Sequence, residues 1–433
     1  MSGGGMLKSS GRLALFTVLT AVSGLLADML LAATFGLGMY TDAFYAAYTV
    51  PFFVANAAFV IGQATLVPIF SREADESGGD TGALCTFFNI AALAGGTAAA
   101  LGAFCSNYVT SAVAPGMPDE AAGIAGGLAA VLFPVVLFSP LTEVLRSRLY
   151  SRGRFAYAAS SNFVRNVVAA AGIFLLGRRM GITGAAVGFC AGYAAQFLML
   201  AGRVFIVDGI RYRPVIDLKL KGFRDGVRVG AIQGAGFTVL QGVTFAERVI
   251  GSYLPPGSIT ALSYGSRIIF MIVETVSGSM ATATLPELAR AEAAGDREAA
   301  GRILRTTFRW VVMIFLPMTA FIVVLREFII TLLYRRGAFS PEAVKVTALV
   351  LMLYSLSLVF QGFNRLLHNL LFAAMRPAGS LTLFSVLAAT AIAVDLLLFR
   401  RVGIAALPLG YLAGTVAAFA LGMRLYAAEY FRA

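Results

Sequence analysis

Residues 175–192 read LLGRRMGITGAAVGFCAG, and residues 397–414 read LLFRRVGIAALPLGYLAG. The two stretches align without a gap at an offset of 222 residues (397 minus 175), and half of the paired positions are identical. The first half of the chain also contains PIFSR at residues 68–72, which is related to PELAR at residues 286–290 in the second half. We therefore predict that a duplicated unit of roughly 220 residues fills the chain, as in proteins built from internal structural repeats.

The composition indicates that both copies lie in a membrane. Of the 433 residues, 59% are hydrophobic and only 13% are charged, and the mean hydropathy is +0.82. An ordinary soluble domain is about 45–50% apolar. Because a helix that crosses the bilayer core needs about 20 apolar residues, the sequence predicts six spans in each half. The predicted spans are 13–37, 43–70, 83–107, 125–146, 156–177, 181–204, 228–252, 260–286, 308–333, 344–370, 378–399 and 403–427.

The even number of spans per repeat determines how the two halves are related. Six spans return the chain to its starting side, so both halves share one orientation and are related by an axis along the membrane normal. The predicted fold is an all-α polytopic membrane protein of two parallel six-helix repeats, residues 1–210 and 211–433, and the family resemblance described below implies that they form two lobes around a central cavity. Transporters are built in this way, with substrate held between the halves.

The positive charge of the chain predicts its orientation. Most of the 34 Lys and Arg residues lie at span ends on the side of the N-terminus, and the positive-inside rule then places both termini in the cytoplasm. Topology and attraction to anionic lipid headgroups account for the formal net charge of +12 without a nucleic-acid partner.

The sequence contains no motif of a soluble enzyme. It has no Walker A loop, no dinucleotide fingerprint at a strand-to-helix turn and no Cys/His metal spacing, and it has only one histidine and three cysteines. The polar stretches 71–81, 205–227 and 287–307 are too short to hold a nucleotide-binding domain. We therefore predict a protein without catalytic residues, metal site or cofactor. Its energy would come from a coupling ion such as Na⁺ or H⁺, from the membrane potential or from another chain.

Ionisable residues within the predicted spans are the candidate functional residues, because a charge in hydrocarbon is costly and faces a partner or a wet cavity. We expect Asp28, Glu247 and Arg267 to line a cavity, since they lie in the first two helices of each repeat. Glu274 follows Arg267 by seven residues and so shares its helix face. Three further residues are interpreted as inter-helix ion pairs or as side chains that snorkel to a span end: Glu143, Arg248 and Asp395.

Several stretches resemble a known family of transporters. Residues 24–59, GLLADMLLAATFGLGMYTDAFYAAYTVPFFVANAAF, and 63–73, QATLVPIFSRE, resemble the opening two helices of the MurJ/MviN lipid II flippases of the multidrug/oligosaccharidyl-lipid/polysaccharide exporter superfamily. Further similar stretches are GSITALSYGSRI at 257–268, ATLPELAR at 283–290 and LLYRRGAFSPEAV at 332–344. The resemblance implies two lobes around a cationic cavity through which a lipid-linked sugar diphosphate crosses the bacterial cytoplasmic membrane. It implies a transporter rather than an enzyme.

The resemblance also assigns residues, with departures from the family pattern. Arg267 stands where the family has its eighth-span cavity arginine, and Asp28 matches the acidic residue of the first span. Ala27, Ala55 and Asn56 occupy places where the family has arginines. The chain also ends after its twelfth span, without the C-terminal helix pair that in the family helps to form a groove for the lipid tail. The residues expected to bind substrate are Arg267, Arg165, Arg365, Asn56 and Gln63, and those expected to bind a coupling cation or to balance charge are Asp28, Glu247 and Glu274.

Three functions are consistent with this reading. The first is a flippase for lipid II or a related undecaprenyl-diphosphate sugar, with that lipid-linked saccharide and membrane lipids as partners. The alternative is a cation-coupled exporter of small amphipathic molecules on the same fold, which a thinner positive lining would suit. The third is a non-transporting scaffold for envelope-synthesis enzymes.

Overall fold

A computed structural model describes residues 3–76, 82–219, 223–374 and 376–427. Within these ranges the chain forms helices and short connections, and no β-strand occurs. The helices are α1 (Gly3–Phe35), α2 (Met39–Glu76), α3 (Gly82–Phe104), α4 (Ser106–Val113), α5 (Asp119–Leu132), α6 (Pro134–Ser151), α7 (Phe155–Met180), α8 (Ile182–Ala201), α9 (Phe223–Gly251), α10 (Ser258–Ala293), α11 (Arg297–Tyr334), α12 (Pro341–Ser355), α13 (Leu358–Ala373), α14 (Pro377–Val402) and α15 (Ala406–Gly422).

The helices have the length and composition of membrane spans. Among the described residues, ten helices are long and apolar enough to cross a bilayer, and the number is eleven when the bent pair α12 and α13 counts as one span. One of the ten, Ala378–Tyr426, contains both α14 and α15 and so covers two of the predicted spans. Large apolar side chains such as Phe104, Val324 and Leu397 are exposed on these helices, as expected for surfaces that face lipid. The all-α polytopic fold predicted from the sequence is confirmed.

The contacts divide the chain into two compact units. Unit 1 contains Met1–Phe237 with Arg336–Ala338, and unit 2 contains Thr238–Arg335 with Phe339–Ala433. The short segment 336–338 belongs to unit 1 because the Ala338 N–H donates a hydrogen bond to Ala33 O at 2.8 Å. Helix α9 begins in unit 1 and ends in unit 2. The boundary between the two sequence repeats at residues 210 and 211 stays a prediction.

The repeated sequence produces repeated packing, once in each unit. In unit 1, a Cβ built on Gly192 would lie 2.5 Å from Arg165 O and 3.4 Å from the Ala169 Cβ. In unit 2, a Cβ built on Gly414 would lie 2.5 Å from Leu387 O and 3.2 Å from the Ala391 Cβ. All three pairs of equivalent residues are 222 positions apart. Helices α7 and α8 therefore pack through the same small-residue contact as α14 and α15.

The connections within these two helix pairs are also equivalent. Gly181 follows α7 with φ 61° and ψ −147°, and Gly403 follows α14 with φ 60° and ψ −135°. This region is accessible almost only to glycine. Glycine at these two positions therefore lets the chain reverse direction between the paired spans.

One span is broken by a bend. Helices α12 and α13 meet at 44° across Leu356 and Ser357. The Ser355 and Ser357 hydroxyls donate to the carbonyls of Met352 and Tyr354, each at 2.6 Å. The Gln361 amide donates to the Ser357 hydroxyl at 2.8 Å. A helix break within the hydrocarbon core of a membrane is tolerated when the backbone groups that it frees find such hydrogen-bond partners. This bend also lies beside one of the candidate functional residues.

Candidate functional site

An exposed charged face on α10 and α13 is the first candidate site in unit 2. Arg267 and Glu274 are both exposed on α10, and the Arg365 guanidinium of α13 lies 3.7 Å from the Glu274 carboxylate. The Glu274 and Arg365 side chains are 70% and 44% exposed. The structure therefore brings together two residues that the sequence placed in separate spans, and it places Arg267 on the same helix as one of them.

The position of these residues along α10 makes their exposure informative. Arg267 and Glu274 both lie within Ser258–Met280, which is long and apolar enough to cross a membrane. Glu274 follows Arg267 by about two turns along the same face. A charged side chain within a membrane span usually faces a partner or a water-filled cavity rather than lipid.

A second polar cluster in unit 2 forms around Glu247 on α9. The Tyr354 hydroxyl donates to Glu247 Oε1 at 2.6 Å. Tyr354 is the last but one residue of α12 and so lies directly at the bend. Its ring contacts the rings of Phe270 and Tyr411, with centroid distances of 6.2 Å and 5.7 Å. The cluster thus joins α9, α10, the bend and α15 around one carboxylate.

Asp395 on α14 extends this cluster and corrects its interpretation as an ion pair or snorkelling residue. Its exposed fraction is 0%, and no described residue donates a hydrogen bond to either carboxylate oxygen. A Cβ on Gly410 would lie 1.9 Å from Asp395 Oδ1, so the carboxylate packs against a glycine of α15. The next residue of α15, Tyr411, contacts the Tyr354 ring at 5.7 Å, so Asp395 adjoins the cluster around Glu247. Two buried carboxylates that share one region are costly unless a cation or proton joins them.

Arg165 on α7 is the candidate substrate-binding arginine of unit 1. Its guanidinium carbon lies 5.0 Å from the centroid of the Tyr193 ring, and Nε donates to the Asn166 side chain at 3.2 Å. The Tyr193 hydroxyl is hydrogen-bonded to the Tyr48 hydroxyl at 3.0 Å. Asn166 in turn donates to Ser23 Oγ of α1 at 3.2 Å. Arg165 is therefore held by stacking and by a chain of hydrogen bonds that links α1, α2, α7 and α8.

The remaining candidates of unit 1 are Asn56, Gln63 and Asp28. The Asn56 amide donates to Phe52 O of its own helix at 2.8 Å, and no described residue accepts a hydrogen bond from the buried Gln63 Nε2. Asp28 is half-buried on α1. Ala27, which stands in the place of a family arginine, packs in the apolar core of unit 1 with Leu31. At this position the chain presents a packing residue, not a cavity residue.

A buried polar network in unit 1 includes residues that the sequence analysis missed. The Glu143 and Arg146 side chains form an ion pair at 2.7 Å and are 7% and 4% exposed. Arg146 donates to Asn162 Oδ1 at 2.9 Å, and Gln196 donates to the same oxygen at 2.7 Å. The predicted ion pair of Glu143 is present, although within α6 rather than between helices. Asn162 and Gln196 carry no signal in a single sequence, because uncharged amides are common in spans and their partners lie 16 and 34 residues apart.

Arg248 joins two helices of unit 2. It donates to the backbone carbonyl of Ile259 at 2.9 Å, a contact between the end of α9 and the start of α10. Within the ranges that the structure describes, no three His, Cys, Asp or Glu residues are grouped to hold a metal ion.

A family model matches most of the chain. Residues 31–429 match the model described as "Lipid II flippase MurJ". Proteins of Rhizobium tropici and Rhizobium meliloti, both named probable lipid II flippase MurJ, are 27% and 25% identical over 79% and 77% of this chain. The chain spans only 66% and 64% of the length of those two proteins. The probable lipid II flippase MurJ of Thermotoga maritima is 25% identical over 95% of this chain and 84% of its own length.

Solved structures show the same fold. The inward closed conformation of a lipid II flippase MurJ has a TM-score of 0.83 at 21% identity, covering 97% of this chain and 89% of that one. The inward-facing conformation of a multidrug resistance MATE family transporter of the MOP superfamily has a TM-score of 0.78 at 17% identity, covering 96% of both chains. At these identities the structural matches establish the fold alone. The all-α, two-lobed fold that the sequence predicted is confirmed.

Proposed function

The chain belongs to the lipid II flippase MurJ family, and from that premise we propose that it moves lipid II, a lipid-linked saccharide diphosphate, across the bacterial cytoplasmic membrane by alternating access. The family is one of flippases, as its model and relatives are named, so the chain is a multi-span transporter and not an enzyme. The cargo, the direction of movement and the cytoplasmic position of both termini belong to the proposal.

The charged face of unit 2 is the observation that carries this proposal. A diphosphate headgroup needs cationic partners, and arginine offers planar donors that match phosphate oxygens. Arg365 lies 3.7 Å from Glu274, which is longer than a hydrogen bond. A phosphate oxygen can therefore replace Glu274 as the partner of Arg365 without breaking a close contact. Arg267, about ten ångströms nearer to the start of α10, would contact the second phosphate or the sugar.

Arg165 would provide a second contact for the headgroup, from unit 1. Its stacking on Tyr193 at 5.0 Å fixes the plane of the guanidinium and leaves its edge for hydrogen bonds. Asn56 and Gln63 would contribute amides to the sugar.

We propose that cation coupling occurs at Glu247, with Asp395 as its neighbour. Since Tyr354 donates to Glu247 at 2.6 Å and stands at the bend between α12 and α13, binding of H⁺ or Na⁺ at this carboxylate changes a contact that holds the bend. Asp28 and Glu274 would balance the arginines. Replacing Tyr354 with Phe keeps the ring and removes the donor, so transport should become less dependent on the imposed ion gradient. A variant with wild-type ion dependence would exclude this site as the coupling site.

The proposed cargo is tested by depletion. In a bacterium whose own flippase is repressed, expression of this chain should restore growth and clear lipid II from the inner leaflet. Accumulation of lipid II despite stable insertion of the chain would refute this cargo. Accumulation of a different undecaprenyl-linked intermediate after deletion of this chain in its own host would redirect the proposal to that intermediate.

A cation-coupled exporter of small amphipathic molecules is the second candidate. It is favoured by Ala27 in the core and by Asn56, whose amide is bonded within its own helix, because these two positions supply no cation for a diphosphate. Binding assays separate the candidates: a flippase prefers prenyl-diphosphate sugars, whereas the exporter prefers organic cations. A reconstituted protein that moves neither, yet retains envelope-synthesis enzymes in pull-downs, would support the scaffold role instead.

A further inference from the structure

The connector between α8 and α9 begins with an irregular segment. A π-helical turn, Gly202–Val207, ends α8, and residues 209–217 then form neither helix nor strand. The Val215 N–H donates to Arg213 O at 2.9 Å, so Pro214 lies at the centre of a tight turn. The segment up to Lys219 is described and lies within unit 1.

Side chains of α3 hold this segment in place through its backbone. The Asn89 amide donates to the carbonyls of Arg213 and Val215, at 3.0 Å and 2.9 Å. Its oxygen accepts from the Tyr212 hydroxyl at 2.7 Å. The Asp217 N–H donates to the Thr86 hydroxyl at 3.1 Å. Because Asn89 and Thr86 are buried, these bonds are protected from water, and the connector has one defined position on the end of unit 1.

The anchored connector leaves its apolar side chains uncovered. Tyr212, Val215, Ile216 and Leu218 are 52%, 50%, 43% and 60% exposed. Ile206 and Val207, at the end of the preceding turn, are more exposed still. A loop in water normally has polar residues at its exposed positions, and a contiguous apolar patch indicates a surface that binds something apolar.

Cations alternate with these apolar residues. Arg211, Arg213 and Lys219 are all exposed on residues 209–219, which contain one acid, Asp217. Beside the segment, Arg154 and Arg203 both contact the Asp208 carboxylate, so this neighbouring group also carries an excess positive charge. Exposed Phe155 and Tyr157 follow Arg154 at the start of α7. The patch therefore combines aliphatic, aromatic and cationic side chains at one end of membrane-spanning helices.

We propose that this patch, residues 206–219 with the start of α7, binds anionic phospholipid. The apolar side chains would enter the boundary between headgroups and acyl chains, and the cations would contact lipid phosphates. Aromatic residues and Lys/Arg side chains concentrate at this depth in membrane proteins, and each surface cation adds attraction to an anionic leaflet. The patch is distinct from the charged face of unit 2, and the proposal does not depend on which molecule the protein transports.

Charge complementarity and position favour lipid over a protein partner. The patch lies where α7 begins and α8 ends, and both are candidate membrane spans, so lipid would be present at high local concentration beside it. The fixed backbone of the patch means that little conformational entropy is lost on binding. A protein partner or an uncovered surface gives a different result in the experiment below.

The experiment uses the full-length chain in nanodiscs with a single tryptophan reporter. Trp310 is the only tryptophan of the chain, and replacing it with Phe while replacing Leu218 with Trp puts the reporter in the patch. Brominated phosphatidylglycerol and brominated phosphatidylcholine are then titrated as quenchers at matched mole fractions. We expect stronger quenching by the anionic lipid. With Arg211→Gln, Arg213→Gln and Lys219→Gln added, the mole fraction for half-maximal quenching by phosphatidylglycerol should rise on the order of tenfold or more.

A charge-matched variant provides the control. Arg178→Gln, Arg179→Gln and Arg401→Gln remove three exposed cations at other helix ends and should leave the reporter's preference for phosphatidylglycerol unchanged. Absence of quenching by either lipid would mean that protein or water covers the patch, and would overturn the proposal. Equal quenching by the two lipids, or an equal loss in the control variant, would overturn it as well.

Discussion

Arg365→Gln should remove most of the transport activity while leaving the protein as stable as before. The Arg365 and Glu274 side chains are 3.7 Å apart and are 44% and 70% exposed. Exposed pairs of this kind contribute about 0–1 kcal/mol to folding. The change in the free energy of unfolding should therefore stay below about 1 kcal/mol.

The expected loss of transport is larger because the contact to substrate is charge-assisted. A hydrogen bond between a charged donor and phosphate contributes about 1.5–3 kcal/mol, which corresponds to roughly 10- to 150-fold in rate. Glutamine keeps most of the side-chain volume, so packing of α13 is retained. Glu274→Gln removes the residue that competes with phosphate for Arg365, and should reduce transport by much less than Arg365→Gln.

The assay pairs a transport rate in liposomes with a thermal unfolding scan of the same preparation. Arg302→Gln is the control, because Arg302 also forms an exposed pair, with Glu298 at 2.5 Å and side-chain exposures of 58% and 68%. Glu298 and Arg302 lie one and five residues past the first residue of α11, and the substitution should affect neither measurement. Normal transport by Arg365→Gln would refute the reasoning. A loss of folding stability large enough to account for the loss of transport would refute it as well.

Two further predictions concern packing. Arg146→Met should destabilise unit 1 by about 3–5 kcal/mol, because it leaves the buried Glu143 carboxylate uncompensated. Adding Glu143→Leu should recover most of this loss. A fluorescence thermal scan measures the stability of both variants, and an unchanged stability of the single variant would contradict the prediction. Gly192→Val and Gly414→Val should each lower stability by about 2 kcal/mol or more, since a Cβ at either position lies 2.5 Å from a carbonyl oxygen. Gly236→Ala, where a Cβ meets nothing within 4 Å, should change it by less than about 1 kcal/mol, and equal effects at all three would be inconsistent with the packing described.

The duplicated stretch at residues 175–192 and 397–414 was sufficient to predict much of the fold. Two helix pairs with the same glycine positions can pack through the same contact face, because small residues let helices approach closely there. Gly192 and Gly414 accordingly meet the carbonyls of residues that are also 222 positions apart. Hydropathy then fixed the spans, since apolar length is a direct property of the sequence.

The partners of the charged residues were not predictable in the same way. The contact between Tyr354 and Glu247 depends on a bend at residues 356 and 357, and no proline or glycine at these positions signals it. Asp395 was interpreted as an ion pair or a snorkelling side chain because a charge within a span is costly. Its burial became evident only once Gly410 of α15 was placed against it.

The direction in which a helical residue faces was the other limit. The resemblance placed Ala27 where the family has an arginine but did not say which way the residue faces, and it lies in the apolar core of unit 1. In a helix that is apolar on all sides, the sequence offers little periodicity from which to choose the buried face. Arg267 and Glu274 were placed on one face correctly, because a spacing of seven residues fixes their relation whatever the helix packs against.

The most direct test of the central claim is the Arg267→Ala variant in a cell that depends on this chain for lipid II transport. We predict that the variant inserts at normal levels, that lipid II accumulates on the inner leaflet and that growth stops. Arg267→Lys should restore part of the transport and growth. Normal growth and normal lipid II distribution with Arg267→Ala would contradict the claim that the charged face of unit 2 binds the headgroup.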